Sequence, residues 1–225
     1  MTRRLAAEFL GSALLTAIVV GSGIAAQRLS PGDVGLQLFE NAFATALGLA
    51  ILILVFASIS GAHFNPVVSL VDGVIGSRSW TQIAAYIPAQ ILGCIGGAIL
   101  ANLMFAAPAV SWSTTDRLTP AHFLGEVVAT AGLILVIFLL ANTPRAGYIP
   151  LAVGAYIGSA YFFTSSASFA NPAITIGRMF TDSFAGIAPG SAPGYLAAQF
   201  VGGAAGLGIV IAFTHRRGTN GTAAA

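Results

Sequence analysis

Long apolar stretches separated by short polar connections dominate the chain. Six of them have about the 20 residues that an α-helix needs to cross a bilayer. They cover roughly Leu5–Ala26, Leu38–Ser58, Trp80–Phe105, Pro120–Ala141, Tyr148–Phe163 and Pro193–Phe213. The first stretch is longer than the apolar core of a cleaved signal peptide, and five more follow it. The pattern therefore predicts an all-α membrane protein of one domain, residues 1–225, that ends in a flexible tail at 218–225.

The composition agrees with lipid as the main solvent. Only 7% of the 225 residues are charged and 56% are hydrophobic, whereas soluble domains have about 25% charged residues. So few charges exclude a soluble enzyme, a disordered chain and a nucleic-acid-binding protein with a basic surface. The single cysteine, Cys94, excludes a disulfide framework and a multi-cysteine metal site. We therefore expect the lipid bilayer as a partner, no nucleic acid, no metal and no cofactor.

The arginines predict an orientation in the membrane. With the N-terminus inside, six arginines fall on the cytoplasmic side and three on the outer side, as the positive-inside rule requires. The cytoplasmic set is Arg3, Arg4, Arg78, Arg145, Arg216 and Arg217, and the outer set is Arg28, Arg117 and Arg178. We therefore expect a protein of the inner cell membrane whose two termini are cytoplasmic.

The second half of the chain resembles the first. Three features recur in the same order: a glutamate in the first span of each half, an Asn-Pro pair, and a glutamine in the third span. The matched pairs are Glu8 with Glu126, Asn65 with Asn171, and Gln90 with Gln199. The repeats cover approximately 1–110 and 115–217. Because each half has three spans, the second must be inverted, and the functional site is expected between the halves near the midplane.

Each Asn-Pro pair predicts a half-helix. Asparagine is a good N-cap and proline fits the first helical position, so helices should begin at Asn65 and at Asn171. They would end near residues 72 and 180, too soon to span the membrane. Two N-termini that face each other there would each carry roughly half a positive charge and oppose cations. Each asparagine oxygen would cap its own helix, and its amide group would donate to a passing neutral solute.

These residues resemble the aquaporin (major intrinsic protein) family over essentially the whole chain. The boxes that carry the resemblance are Ser60 to Pro66, Asn65-Pro66-Val67 and Asn171-Pro172-Ala173, with Val67 in place of the usual alanine. The resemblance implies six transmembrane helices plus two half-helices, a narrow pore in each protomer of a homotetramer, and passive flow of small uncharged solutes without enzymatic activity. It also implies that Glu8 and Glu126 brace the pore loops and that His63 lines the cytoplasmic mouth.

The chain departs from the family pattern after the second box. An arginine usually follows that box and lines the outer constriction, and this chain has Ile174 there. Arg178, four residues later, does not match the motif and is expected to be a structural arginine at the end of the half-helix. In this respect the segment is similar to bacterial members associated with arsenic resistance, which lack the filter arginine.

The resemblance places further residues in the constriction. Family spacing gives Thr45 where water-selective members have phenylalanine. The fifth span supplies Tyr161, or Ser159 if the preceding loop has no gap, and a backbone carbonyl near Ser168 completes the ring. Together with Ile174, these residues predict a wide, weakly polar filter.

Such a filter favours a channel for glycerol-like polyols and neutral metalloid hydroxides such as arsenous acid, besides water. One alternative is a channel mainly for water, ammonia or urea. A more distant one is a small secondary transporter, since inverted repeats and broken helices also occur in that class. The halves offer few charged groups for ion coupling.

Overall fold

Eight α-helices form the protein in a computed structural model that describes residues 1–215, so the predicted tail at 218–225 lies outside the described residues. The helices are α1 (Thr2–Leu29), α2 (Val34–Ser60), α3 (Pro66–Ile75), α4 (Trp80–Met104), α5 (Pro120–Ala141), α6 (Ile149–Phe163), α7 (Pro172–Gly177) and α8 (Ala192–His215). Short 3-10 turns precede α6 (Ala146–Tyr148) and follow α7 (Arg178–Phe180). Six of the helices are long and apolar enough to cross a membrane. The all-α fold with six long helices and two short ones is confirmed.

Local capping explains where several helices begin. Asp33, Ser79 and Thr119 each accept a hydrogen bond from a backbone N–H three residues later. In the first turns of α2, α4 and α5, these bonds satisfy backbone N–H groups that have no partner within the helix. α1 and α2 begin three or four residues before the apolar stretches do, because the helical hydrogen bonds continue where the hydropathy fades. In α7, by contrast, the helix stops at Gly177 and tightens into the 3-10 turn, so the second half-helix is shorter than predicted.

The two halves of the fold make equivalent contacts. α1 packs along α4, and α5 packs along α8. In the first pair, Gly93 and Gly97 lie against the carbonyls of Phe9 and Ala13, where a Cβ atom would collide with the backbone. The second pair repeats this contact with Gly202 and Gly206 against Val127 and Ala131. Small residues four apart therefore let the helix backbones approach closely in both halves.

The long helices run alternately in opposite directions, so the chain has two sides. We call the side where α1 begins the near side and the other the far side. The segment 61–65 turns inwards from the near side, and the segment 164–171 turns inwards from the far side; we call them the first and second pore loops. α2 and α6 pack against each other across the halves, and α3 contacts α7 where the two loops meet.

Candidate functional site

Asn65 and Asn171 join the two pore loops at the middle of the protein. Each asparagine Oδ1 accepts a hydrogen bond from the backbone of its own half-helix, at 2.9 Å from Val67 N and 3.0 Å from Ala173 N. Each Nδ2 donates to the opposite loop, from Asn65 to the Ala170 carbonyl at 2.8 Å and from Asn171 to the Phe64 carbonyl at 2.7 Å. Each asparagine therefore caps the half-helix of its own repeat and binds the pore loop of the other repeat.

These cross-loop bonds correct one expectation from the sequence. The amide groups of the two asparagines are not entirely available to a solute, because one of the two N–H bonds of each amide is used by the opposite loop. A primary amide has two such bonds, so each asparagine keeps one donor. Asn65 and Asn171 both line the central cavity, so each remaining donor belongs to a side chain that borders the solute path.

Glu8 holds the first pore loop from behind. Its carboxylate is fully buried and accepts four hydrogen bonds: from Ser60 Oγ at 2.5 Å, His63 N at 3.1 Å, Phe64 N at 2.8 Å and Gln90 Nε2 at 2.8 Å. Charge-assisted bonds of this kind are stronger than neutral ones. The loop is therefore fixed to α1 and α4 at the point where it turns inwards.

Glu126 holds the second pore loop in the same way. Its buried carboxylate accepts hydrogen bonds from Phe169 N at 2.8 Å, Ala170 N at 2.9 Å and Gln199 Nε2 at 2.6 Å. Gln199 also donates to Thr175 Oγ1 at 2.9 Å, as Gln90 does to Ser69 Oγ in the first half. All polar bonds of these carboxylates go to neutral donors, which fits a bracing role better than a proton relay.

The glutamates also decide where the loop carbonyls point. In a trans peptide, the C=O lies opposite the N–H, so the peptide N–H bonds that reach Glu126 direct the carbonyls of Ser168 and Phe169 the other way, towards the cavity that both residues line. Left-handed backbone helps this alternation, with φ of 46° at Ser168 and 48° at Ala170. The first loop has the matching angles at Ala62 and Phe64, 51° and 49°.

A narrow central cavity runs between the loops and the long helices. Its volume is about 60 Å³, enough for only a few water molecules. It lies between a near-side cavity of about 410 Å³ and a far-side cavity of about 200 Å³. One wall carries the loop backbone and the asparagines, and the facing wall is apolar, formed by Leu15, Val19, Leu49, Ile53, Leu133, Ile137, Val153 and Ile157. Along this aliphatic stretch, a polar solute has hydrogen-bond partners only on the loop side.

The four predicted filter residues all line the central cavity: Thr45, Tyr161, Ser168 and Ile174. Thr45 Oγ1 and the Tyr161 hydroxyl lie 3.3 Å apart, so α2 and α6 contact each other at this level. Ser159 is exposed on the outer surface of α6. Of the two alternatives left open on the sixth helix, the structure therefore places Tyr161 and not Ser159 at the cavity.

Arg178 lines the same cavity, which the sequence interpretation did not anticipate. It lies in the 3-10 turn after α7, one helical turn beyond Ile174, and its side chain is 2% exposed. Its Nε donates to the Ala185 carbonyl. The four-residue spacing from Ile174 was a signal that the two side chains share one face of the half-helix.

His63 connects the central cavity to the near-side mouth, because it lines both cavities. Its Nδ1 lies 3.0 Å from Ser69 Oγ, and its Nε2 lies 3.6 Å from Asp72 Oδ2. Asp72 in turn pairs with Arg78, with 3.3 Å between Oδ2 and Nε. The near-side mouth therefore contains a fixed cluster of charged and polar side chains.

Two long connections close over the far side. The segment 105–119 donates backbone hydrogen bonds from Ser111 and Ser113 to the 3-10 turn after α7. Arg117 then holds the segment 181–191, donating to the Phe184 carbonyl at 2.7 Å and to the Gly186 carbonyl at 2.6 Å. These contacts fix the loop that surrounds the far-side cavity.

Comparison with known proteins decides the family. The sequence profile of the major intrinsic protein family matches residues 1–170. The aquaglyceroporin AqpS of Rhizobium meliloti (strain 1021) is 44% identical over 210 residues, which are 93% of this chain and 89% of that protein. The chain belongs to the major intrinsic protein family.

Two further relatives agree with this assignment. A probable glycerol uptake facilitator protein of Thermotoga maritima is 33% identical over 171 residues, covering 68% of this chain and 71% of that protein. The X-ray structure of the aquaglyceroporin from Plasmodium falciparum superposes with a TM-score of 0.70, at 24% identity, over 92% of this chain and 94% of that one. This major intrinsic protein is an integral membrane channel for small uncharged solutes, and it is not an enzyme.

Proposed function

We propose that this protein is an aquaglyceroporin-type channel that passes glycerol-like polyols and neutral metalloid hydroxides such as arsenous acid, together with water. The observation that carries the proposal is the pairing of Thr45 with Ile174 on the wall of the central cavity. Neither side chain has the bulk of an aromatic ring or the charge of a guanidinium. The names of the relatives, aquaglyceroporin and glycerol uptake facilitator, support the same class of solute.

The shape of the cavity supports a solute with one apolar face. The polar wall offers the carbonyl groups of the pore loops and one amide donor from each of Asn65 and Asn171. The facing wall is aliphatic. A polyol or an uncharged metalloid hydroxide satisfies its hydroxyl groups along one side, whereas an ion leaves part of its hydration shell unreplaced. The facing half-helix N-termini add a positive potential that opposes cations.

A swelling assay on reconstituted protein tests this function. Proteoliposomes with wild type, Ile174→Arg and Ile174→Met are compared for uptake of glycerol, neutral arsenite, urea and water. We expect wild type and Ile174→Met to take up glycerol and arsenite, and Ile174→Arg to lose more of that uptake than of water flux. The methionine variant controls for substitution at this position without charge.

The same panel separates the alternatives. If wild type conducts water but neither glycerol nor arsenite, the channel is mainly a water channel and the proposal is wrong. Uptake of urea without glycerol or arsenite would favour the alternative of a channel mainly for water, ammonia or urea. If Ile174→Arg takes up the larger solutes as fast as wild type, Ile174 does not set selectivity. Uphill accumulation driven by a Na⁺ or H⁺ gradient would contradict a passive channel altogether.

We also propose that the protein is a homotetramer of the inner cell membrane with cytoplasmic termini. Large apolar side chains on the outer face of α2 support a lipid or subunit contact: Phe39, Phe43, Leu47, Ile51 and Val55. Native mass spectrometry in detergent measures the number of subunits. Cysteine labelling at Ser77 and at Ser111, from each side of intact cells, tests the orientation.

A further inference from the structure

Arg178 is a buried cation without an anionic partner. Within residues 1–215, the carboxylate that forms ion pairs is Asp72, on the near side, and neither Arg178 nor Arg117 lies within 4 Å of a carboxylate oxygen. A guanidinium that is 2% exposed and unpaired is costly to bury. The fold therefore keeps a positive charge in a place where an uncharged side chain of similar size would be easier to accommodate.

The guanidinium of Arg178 is held firmly on one side and open on the other. Its Nε donates to the Ala185 carbonyl, and its Cζ lies 3.3 Å from the centre of the Phe169 ring, a close cation–π contact. Arginine has five N–H donors. In the described part of the chain, the four on the terminal nitrogens have no hydrogen-bond partner. They are the donors that remain for a solute.

The position of this side chain puts those donors on the solute path. Arg178 lines the central cavity together with Ile174 and Asn171, and it also lines the far-side cavity together with Tyr161 and Arg117. It therefore marks the junction of the two cavities. Four residues along a helix correspond to about 6 Å, so the backbone of Arg178 lies roughly that far beyond Ile174 towards the far side.

Arg117 fixes the loop on which Arg178 depends. It donates to the carbonyls of Phe184 and Gly186, which flank Ala185, the residue whose carbonyl accepts from Arg178. Its own Cζ lies 5.6 Å from the centre of the same Phe169 ring. Arg117 is thus a positioning residue: it holds the carbonyls on either side of Ala185, whose own carbonyl holds the guanidinium of Arg178.

The geometry points to Arg178 as a specificity-determining residue of this channel, displaced by one turn from the uncharged position at Ile174. In this arrangement, the uncharged level at Ile174 comes first along the path from the midplane. A second level, formed by Arg178 and Tyr161, then supplies fixed positive charge and N–H donors. The charge opposes protons and metal cations, and the donors bind the hydroxyl oxygens of neutral solutes. This inference rests on the proposed function, since it assigns the selectivity of the same pore.

Proton and sodium flux into proteoliposomes tests the assignment. We compare wild type with Arg178→Gln, which keeps N–H donors but has no charge, and with Arg178→Lys, which keeps the charge. A unit charge about 6 Å from a cation changes the occupancy of that cation by about tenfold when the effective dielectric lies between those of protein and water. We therefore expect Arg178→Gln to leak protons or sodium about tenfold faster than wild type. We expect Arg178→Lys to exclude both cations as wild type does.

Arg28→Gln is the matched control. Arg28 is exposed on the far side and holds the Phe105 carbonyl, but it is not among the residues that line the central or far-side cavity. Its loss removes the same charge from the same side of the protein, and we expect cation exclusion to stay at the wild-type level. Equal leakage in Arg28→Gln and Arg178→Gln would contradict a role specific to Arg178.

A double variant that moves the charge from position 178 to position 174 provides a second test if Arg178→Gln does not fold; we call it the charge-transfer variant. Ile174→Arg combined with Arg178→Ile moves the charge back by one turn, and we expect it to exclude protons while passing glycerol more slowly than wild type. A folded Arg178→Gln variant that leaves proton and sodium flux at the wild-type level, or a charge-transfer variant that leaks, overturns the assignment. Glycerol flux in wild type tests the proposed function separately, so failure of one conclusion is distinguishable from failure of the other.

Discussion

Arg78 lies across the backbone of Gly61, at the point where α2 ends and the first pore loop begins. The glycine has φ of 95°, and a Cβ atom there would collide with the Arg78 guanidinium. The arginine also pairs with Asp72 at 3.3 Å and lies over the Tyr86 ring. The near-side mouth therefore depends on a residue without a side chain at position 61.

We expect Gly61→Ala to destabilise the protein more than Gly76→Ala. Gly76 has a similar φ, 91°, but nothing within 4 Å of its Cβ position, so its variant shows the backbone cost alone, about 1–2 kcal/mol. Gly61→Ala also pushes the Arg78 guanidinium aside and disturbs its pairing with Asp72, about 1 kcal/mol more. Denaturant titration in detergent measures both variants. Adding Arg78→Ala to Gly61→Ala should recover part of the loss, and equal losses at the two glycines would contradict the contact.

Replacement of either bracing glutamate should destabilise its pore loop. In Glu8→Gln and in Glu126→Gln, an amide NH₂ replaces one acceptor oxygen and meets the N–H groups that the carboxylate now accepts. We expect a loss of about 3 kcal/mol in the free energy of unfolding for each, together with reduced solute flux.

Glu40→Gln serves as the control for this pair. Glu40 is half-buried on α2 and accepts one hydrogen bond from the described residues, from Ser30 Oγ at 2.7 Å, which the glutamine oxygen also accepts. Its loss should stay below about 1 kcal/mol. If all three variants are equally stable, the loops do not depend on the buried carboxylates.

The close helix crossings predict opposite effects for neighbouring glycines. Gly93→Ala places a Cβ against the Phe9 carbonyl and should separate α1 from α4. Gly96 has open space at its Cβ position, so Gly96→Ala should be neutral or stabilising by up to about 1 kcal/mol through helix propensity. Thermal unfolding followed by circular dichroism compares the two. A Gly93→Ala variant as stable as Gly96→Ala would show that α1 and α4 have room to move apart.

The far-side loops should loosen in acid. The Ser191 hydroxyl donates to Asp116, and this hydrogen bond holds the pKa of the Asp116 carboxyl below its usual value of 3.8. Because this pKa is lower in the folded state than in the unfolded state, the hydrogen bond stabilises the folded loop fully at pH values above 3.8. This stabilisation is lost as the pH falls through the lower pKa of the folded state. The protection factor of the Leu118 amide, which divides out the intrinsic pH dependence of exchange, measures the effect as the pH falls from neutrality to below the folded-state pKa. Asp116→Asn should abolish the pH dependence, and Asp182→Asn is the control on the neighbouring loop.

The sequence was sufficient for features that depend on local chemistry. Asparagine is favoured at the N-cap and proline at the first helical position, so the starts of α3 and α7 at positions 66 and 172 follow from two Asn-Pro pairs. The transmembrane spans follow from hydropathy in the same way, but hydropathy does not show that α1 and α2 begin several residues before their apolar stretches.

Features that depend on distant parts of the chain were not predictable. Arg178 faces the cavity because the segment 181–191 returns to place the Ala185 carbonyl behind it, and no local pattern encodes that return. The choice between Tyr161 and Ser159 depends on how α6 is rotated against α2, which a single sequence leaves open. The second donor of each asparagine is likewise used by a carbonyl from the opposite half.

The bond from Asn65 to Ala170 also has a consequence for biosynthesis. Its two partners are 105 residues apart, so at 5–20 residues per second the ribosome needs about 5–20 s to deliver the second after the first. During that interval the first pore loop can bond to Glu8 and cap its own half-helix, but the Asn65 amide lacks its carbonyl acceptor on Ala170. The bond that joins the two pore loops can therefore form only after the second half of the chain has been made.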